Sequence, residues 1–79
     1  MNNWNADTKL LSLLAGREFT REYLGGLYHW QADTSLSFRN DDLKPFLLCW
    51  PRVKIEGKGF VATAAVAFHA EQLRDIKPI

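Results

Sequence analysis

The sequence predicts an α+β fold: three short helices, an antiparallel β-hairpin or small sheet, and a C-terminal helix around one core. Three observations point that way. Leucines follow cap-forming residues at helical spacing, two other stretches alternate apolar and polar residues with period two, and glycine or proline interrupts the pattern at short intervals. A chain of 79 residues is too short for two ordinary cores, so residues 1–79 are read as a single small domain. Its 47% apolar and 24% charged residues are enough to order it without a metal or disulfides.

The first helix is expected over about residues 7–15. Asn5 and Asp7 offer N-cap oxygens, Leu10, Leu11, Leu13 and Leu14 follow, and Gly16 stands where a left-handed residue would end the helix. Thr20 is a second N-cap, with Phe19 before it placed to pack on Leu24 as a hydrophobic staple. Gly25 and Gly26 leave two readings of the next segment. Tyr23, Leu24, Leu27 and Tyr28 keep helical spacing, but a helix ended by the glycines would free residues 27–31 to pair as a strand. Residues 34–39 alternate, with Leu36 and Phe38 on one face, and read as a half-buried strand.

Asn40, Asp41 and Asp42 supply caps and negative charge for a third helix over about residues 43–50. Pro45 falls in its first turn, Pro51 stops it, and Leu43, Phe46, Leu47 and Trp50 form its core stripe. Val53 and Ile55 then alternate with charged residues, Gly57-Lys58-Gly59 turns, and residues 60–62 return as the second strand of a hairpin. The strand is extended to about residue 67. A last helix over about residues 69–76 presents Leu73 and Ile76 inward, with His69 at its start.

Ten Lys and Arg against nine Asp and Glu leave a net charge of +1, which names no partner. Between residues 44 and 58, however, Lys44, Arg52, Lys54 and Lys58 face only Glu56, a weak basic focus. The single cysteine, Cys49, lies in an apolar run and reads as inert packing in a reducing compartment. No apolar run reaches bilayer length and the N-terminus lacks a signal-peptide pattern, so no membrane association and a cytoplasmic location are expected.

The order of elements resembles the winged helix-turn-helix family, and in particular the small excisionases. Residues 8–60 carry the likeness: Leu10 to Leu14 as a first helix, Thr20 to Tyr28 as a second, Asp42 to Trp50 as the recognition helix and Val53 to Phe60 as the wing. The resemblance implies a DNA-binding regulator in which Arg52, Lys54 and Lys58 contact phosphate. Asp41 and Asp42 depart from it, because their charges oppose the DNA backbone.

No catalytic kit emerges. His29, His69 and Cys49 fall at no zinc-module spacing, adjacent Asp41 and Asp42 point apart, and residues 56–59 lack the length and the Ser or Thr of a phosphate loop. No enzyme activity, metal or cofactor is expected. What remains is a regulator or inhibitor that binds a larger protein or complex, as monomer or homodimer. Trp4, Tyr28 and Trp30 serve as exposed aromatic anchors, and Arg52, Lys54 and Lys58 form a polar rim. Its size suits a phage or other mobile element. Winged-helix DNA binding is the alternative.

Overall fold

The computed structural model describes residues 4–38 and 44–79, with side chains from residue 6 onward. It contains one α-helix, α1 (Trp4–Leu14), and five strands: β1 (Glu18–Tyr23), β2 (Gly26–Ala32), β3 (Ser37–Phe38), β4 (Pro45–Gly57) and β5 (Val66–His69). A 3-10 turn, Ala70–Gln72, follows β5. The protein is therefore mostly antiparallel β, and the expected α+β arrangement of three short helices and a C-terminal helix is corrected.

The first helix forms where leucine spacing places it. Leu11 and Leu14 are buried, Leu13 faces out, and Gly16 takes φ +74 just beyond the helix. The Gly16 amide donates to the Asp33 carbonyl at 2.7 Å, tying the helix end to the end of β2.

Residues 20–28 are not a helix. The inward set Phe19, Arg21 and Tyr23 on β1, and Tyr28, Trp30 and Ala32 on β2, follows period two. The helical spacing of Tyr23, Leu24, Leu27 and Tyr28 coincides with a two-residue hairpin turn. Leu24 and Gly25 both have positive φ, 48 and 81, the geometry that matches strand twist in tight hairpins. Leu24 is consequently exposed and does not staple to Phe19, which is buried.

A helix is expected over residues 43–50, yet residues 45–50 are strand; Asp41, Asp42 and Leu43 lie outside the described residues. The run is apolar on both faces, so helix and strand periods fit it equally. As a strand it sends Pro45, Leu47 and Cys49 inward and Phe46, Leu48 and Trp50 outward. Both prolines suit this strand. Pro51 falls one position beyond Trp50, where β5 has ceased to pair with β4, so its missing amide forfeits no bond to β5.

β4 is the hub of the sheet. One edge pairs with β2 over residues 49–57 and with β3 at residues 45–46, and the other pairs with β5 over residues 46–49. β1 lies outside β2. Residues 27–31 are therefore strand, paired with β1 on one side and β4 on the other.

Two bulges change the phase of β4. Arg52 is extra between Trp30↔Pro51 and His29↔Val53, and Ile55 is extra between Tyr28↔Lys54 and Leu27↔Glu56. Each moves the pattern by one residue, so Lys54 turns inward opposite Tyr28 while Val53 turns outward.

The expected hairpin with residues 60–62 does not form. After Gly57 the chain crosses the inner side as a strap without strand pairing, and Lys54 holds it. The Lys54 ammonium donates to the carbonyls of Lys58, Gly59 and Phe60 at 3.1, 3.3 and 3.4 Å, and the Ala62 amide donates to the Tyr28 hydroxyl at 3.0 Å. β5 begins at Val66, and the expected last helix shrinks to the 3-10 turn. There the His69 amide donates to Gln72 Oε1 at 2.8 Å, while Leu73 is buried as expected.

The core lies between α1, the C-terminal turn and the inner face of the sheet. Trp30 is its centre, with ring centroids of Phe68, Tyr23 and Tyr28 at 5.0, 5.5 and 5.6 Å. Such tilted and edge-on arrangements are favourable beyond simple area burial. The indole N–H donates to the Arg21 carbonyl at 3.1 Å, and the Arg21 guanidinium lies 4.5 Å from the Phe68 ring centroid. No helix of the described residues is long and apolar enough to cross a membrane.

Candidate functional site

Among the described residues, the core just described covers one face of the sheet and leaves the other open. Strand registers define the opposite face in rows. Glu22, Leu27 and Glu56 make the first row, Thr20, His29 and Val53 the second, and Glu18, Gln31 and Trp50 the third. Leu48 with Ala67 forms the fourth row, and Ser37, Phe46 and His69 the fifth. An apolar stripe runs obliquely through Leu27, Val53, Trp50, Leu48 and Phe46. None of these five belongs to the core or packs against it.

Exposure along the stripe is graded. Trp50 is 41% and Val53 59% exposed, whereas Leu27, Phe46 and Leu48 are half-buried by their strand neighbours. A large exposed indole on a pleated surface is a feature of interface anchors rather than of ordinary monomer surface. The polar members are positioned too. His29 Nε2 and Glu18 Oε1 stand 2.6 Å apart, and His69 Nδ1 is 3.1 Å from the Pro45 carbonyl, with its ring edge-on to Phe46.

The residues expected to contact a partner distribute differently from the sequence reading. Trp30 and Tyr28 are buried, at 0% and 2% exposure, and serve the core, so neither is presented as an anchor. The Trp4 side chain lies outside the described residues. Lys54 points to the inner side and holds the strap. Arg52 and Lys58 are exposed as expected, and their side chains have no partner among the described residues. Trp50 and Phe46, expected in the core, lie on the open face instead. Leu27, Val53, Glu18, Glu22 and Glu56 were not named from sequence as partner-contacting residues. Reading residues 45–50 as a strand would have placed Phe46, Leu48 and Trp50 together opposite Leu47 and Cys49.

Two hollows adjoin the sheet. One of about 130 Å³ is lined by Glu22, Gly25, Gly26, Leu27, Glu56 and Gly57. Its glycines are structural. A Cβ on Gly57 would lie 2.7 Å from both the Gly25 oxygen and the Gly26 Cα, so backbone meets backbone at the end of the hairpin. The other hollow, about 230 Å³, lies between Tyr23, Leu24 and the strap residues Phe60 and Ala62 to Val66.

Among the described residues no group of three or more His, Cys, Asp or Glu side chains converges to hold a metal. Cys49 is fully buried, and its thiol is pushed up to about 12, chiefly by burial and secondarily by Asp33, with Arg21 opposing. A thiol so protonated is a poor nucleophile at neutral pH. Comparison with protein-family models, with curated proteins and with solved structures gave no match in any of the three.

Proposed function

We propose that this protein is a non-enzymatic regulator or inhibitor that acts by docking on a larger protein through the open face of its sheet. One observation carries this reading: Leu27, Val53, Trp50, Leu48 and Phe46 share the open face of the sheet and stand outside the core. Exposing such a stripe without a partner gains the fold little, while burying it against a complementary surface is favourable by about 25 cal/mol per Å² before the costs of association.

The test is site-specific crosslinking. A photoreactive side chain at Trp50 is expected to capture the partner in cells, whereas the same group at Leu13, exposed on α1, is not. Trp50→Asp should abolish co-purification of that partner with the fold intact by circular dichroism. Capture from Leu13 alone, or co-purification unchanged by Trp50→Asp, would overturn the proposal.

Exposed Arg52 and Lys58 support the DNA-binding alternative. Two of its supports weaken, because Lys54 is occupied by the strap and residues 45–50 offer a strand where a recognition helix was needed. Salt-sensitive binding to random duplex DNA that is lost in Arg52→Ala/Lys58→Ala would favour it.

A further inference from the structure

We infer that the open face takes a segment of a partner protein that carries a lysine or arginine next to apolar side chains. The inference rests on the docking reading above and adds the chemistry of the occupant. It comes from how charge is segregated on the sheet. The chain as a whole is +1, yet the outward residues of β1, β2 and β4 include three carboxylates, Glu18, which faces His29, and Glu22 and Glu56. Lys54, on the same strand as Glu56, has its ammonium bound on the opposite side.

Glu22 and Glu56 are placed for a cation. They flank Leu27 in one row across three strands, which puts their backbones roughly 10 Å apart. The 130 Å³ hollow lies between them with Leu27, Gly25 and Gly26 in its lining. Among the described residues neither carboxylate makes a side-chain hydrogen bond or ion pair. A long basic side chain would lay its methylenes over Leu27 and bring its charged end between the two carboxylates, as such side chains do on apolar surfaces. Val53 and Trp50 come next along the stripe and would receive the apolar neighbours of that residue.

The same charges argue against other occupants. Nucleic acid would bring phosphates onto three carboxylates. A second copy of this chain, packed face to face, would double the carboxylates in one interface.

Panning a random peptide library on the full-length protein tests the inference, followed by titration of the enriched peptides. The expected result is enrichment of peptides with Lys or Arg beside aromatic or aliphatic residues. Glu22→Lys/Glu56→Lys should weaken their binding by about tenfold or more. Peptides with the basic residue changed to Glu should bind the double variant better than the original protein. Enrichment of acidic or uncharged peptides, no enrichment, or affinity unchanged in the double variant would overturn the inference. Trp50→Asp separates the two levels. Peptides lost in Trp50→Asp but indifferent to the carboxylates leave docking by this face standing and remove the cationic segment, whereas peptides indifferent to both remove both. A dimer dissociated by Trp50→Asp in sedimentation would assign the face to a second copy and overturn the inference.

Discussion

Trp30 and Trp50 stand on adjacent strands of one sheet, Trp30 opposite Pro51 and Trp50 opposite Gln31, and they have opposite fates. Trp30 is sealed among Tyr23, Tyr28 and Phe68 with its indole N–H bonded, while Trp50 is 41% exposed on the other face. The contrast shows that in this molecule position parity along a strand, more than residue type, decides which aromatic is sealed in the core and which stays exposed. It also shows how parity can be reset, since the bulge at Arg52 carries Val53 to the open face and brings Lys54 beneath the strap, and the bulge at Ile55 restores the original phase.

Breaking the inner face should have the largest effect. Trp30→Ala is expected to lose about 3 to 5 kcal/mol, enough to unfold most of a small domain, as read by denaturant titration. Gly57→Ala comes next: φ +113 and a Cβ 2.7 Å from backbone atoms predict a loss of about 2 kcal/mol or more, and a Tm unchanged by this substitution would refute the close backbone approach at the hairpin end.

The third prediction concerns alkaline pH. The Cys49 thiol titrates at 9.0 ordinarily and near 12 when folded, so the unfolded chain releases the proton first. The contribution is fully present below pH 9 and is lost as pH rises toward 12, by up to about 1.4 kcal/mol per pH unit. Cys49→Ala should flatten that limb of the stability profile relative to the native protein.

Lys54→Met keeps an aliphatic stem near Tyr28 but removes the ammonium, and should lower stability by about 1 kcal/mol while speeding protease cleavage between residues 58 and 65. Trp50→Ala should have the smallest effect, under about 1 kcal/mol. A loss as large as that of Trp30→Ala would mean that both faces of the sheet sustain the fold, and the comparison would fail.

The first helix was legible because its leucine stripe and Gly16 admit one period. The β1–β2 hairpin was only half legible, since Tyr23, Leu24, Leu27 and Tyr28 satisfy a helix as well as two strands around a turn, and the decisive positive φ at Leu24 is one that leucine seldom takes. Residues 45–50 were misread because an apolar run bounded by prolines carries no parity, and flanking Asp41 and Asp42 resembled caps. Helical spacing still grouped Phe46 with Trp50, as the strand does, but assigned the pair to the core. The acidic row of the open face could not be read at all, since Glu22, Leu27 and Glu56 meet only through registers that span 34 positions of sequence.

The central place of β4 also bears on how fast the chain finds its fold. β1 and β2 are joined by a tight turn, whereas Ala32 meets Cys49 across 17 positions, Phe46 meets His69 across 23, and Gly26 meets Gly57 across 31. Most ordering entropy must therefore be spent before β4 gains its partners, which places folding in the millisecond-to-second range of sheet proteins rather than the microseconds of helical bundles. The local hairpin can form first, but its partners on β4 are made 17 to 31 positions later, and during synthesis its aromatic face lacks Phe68 until β5 has emerged.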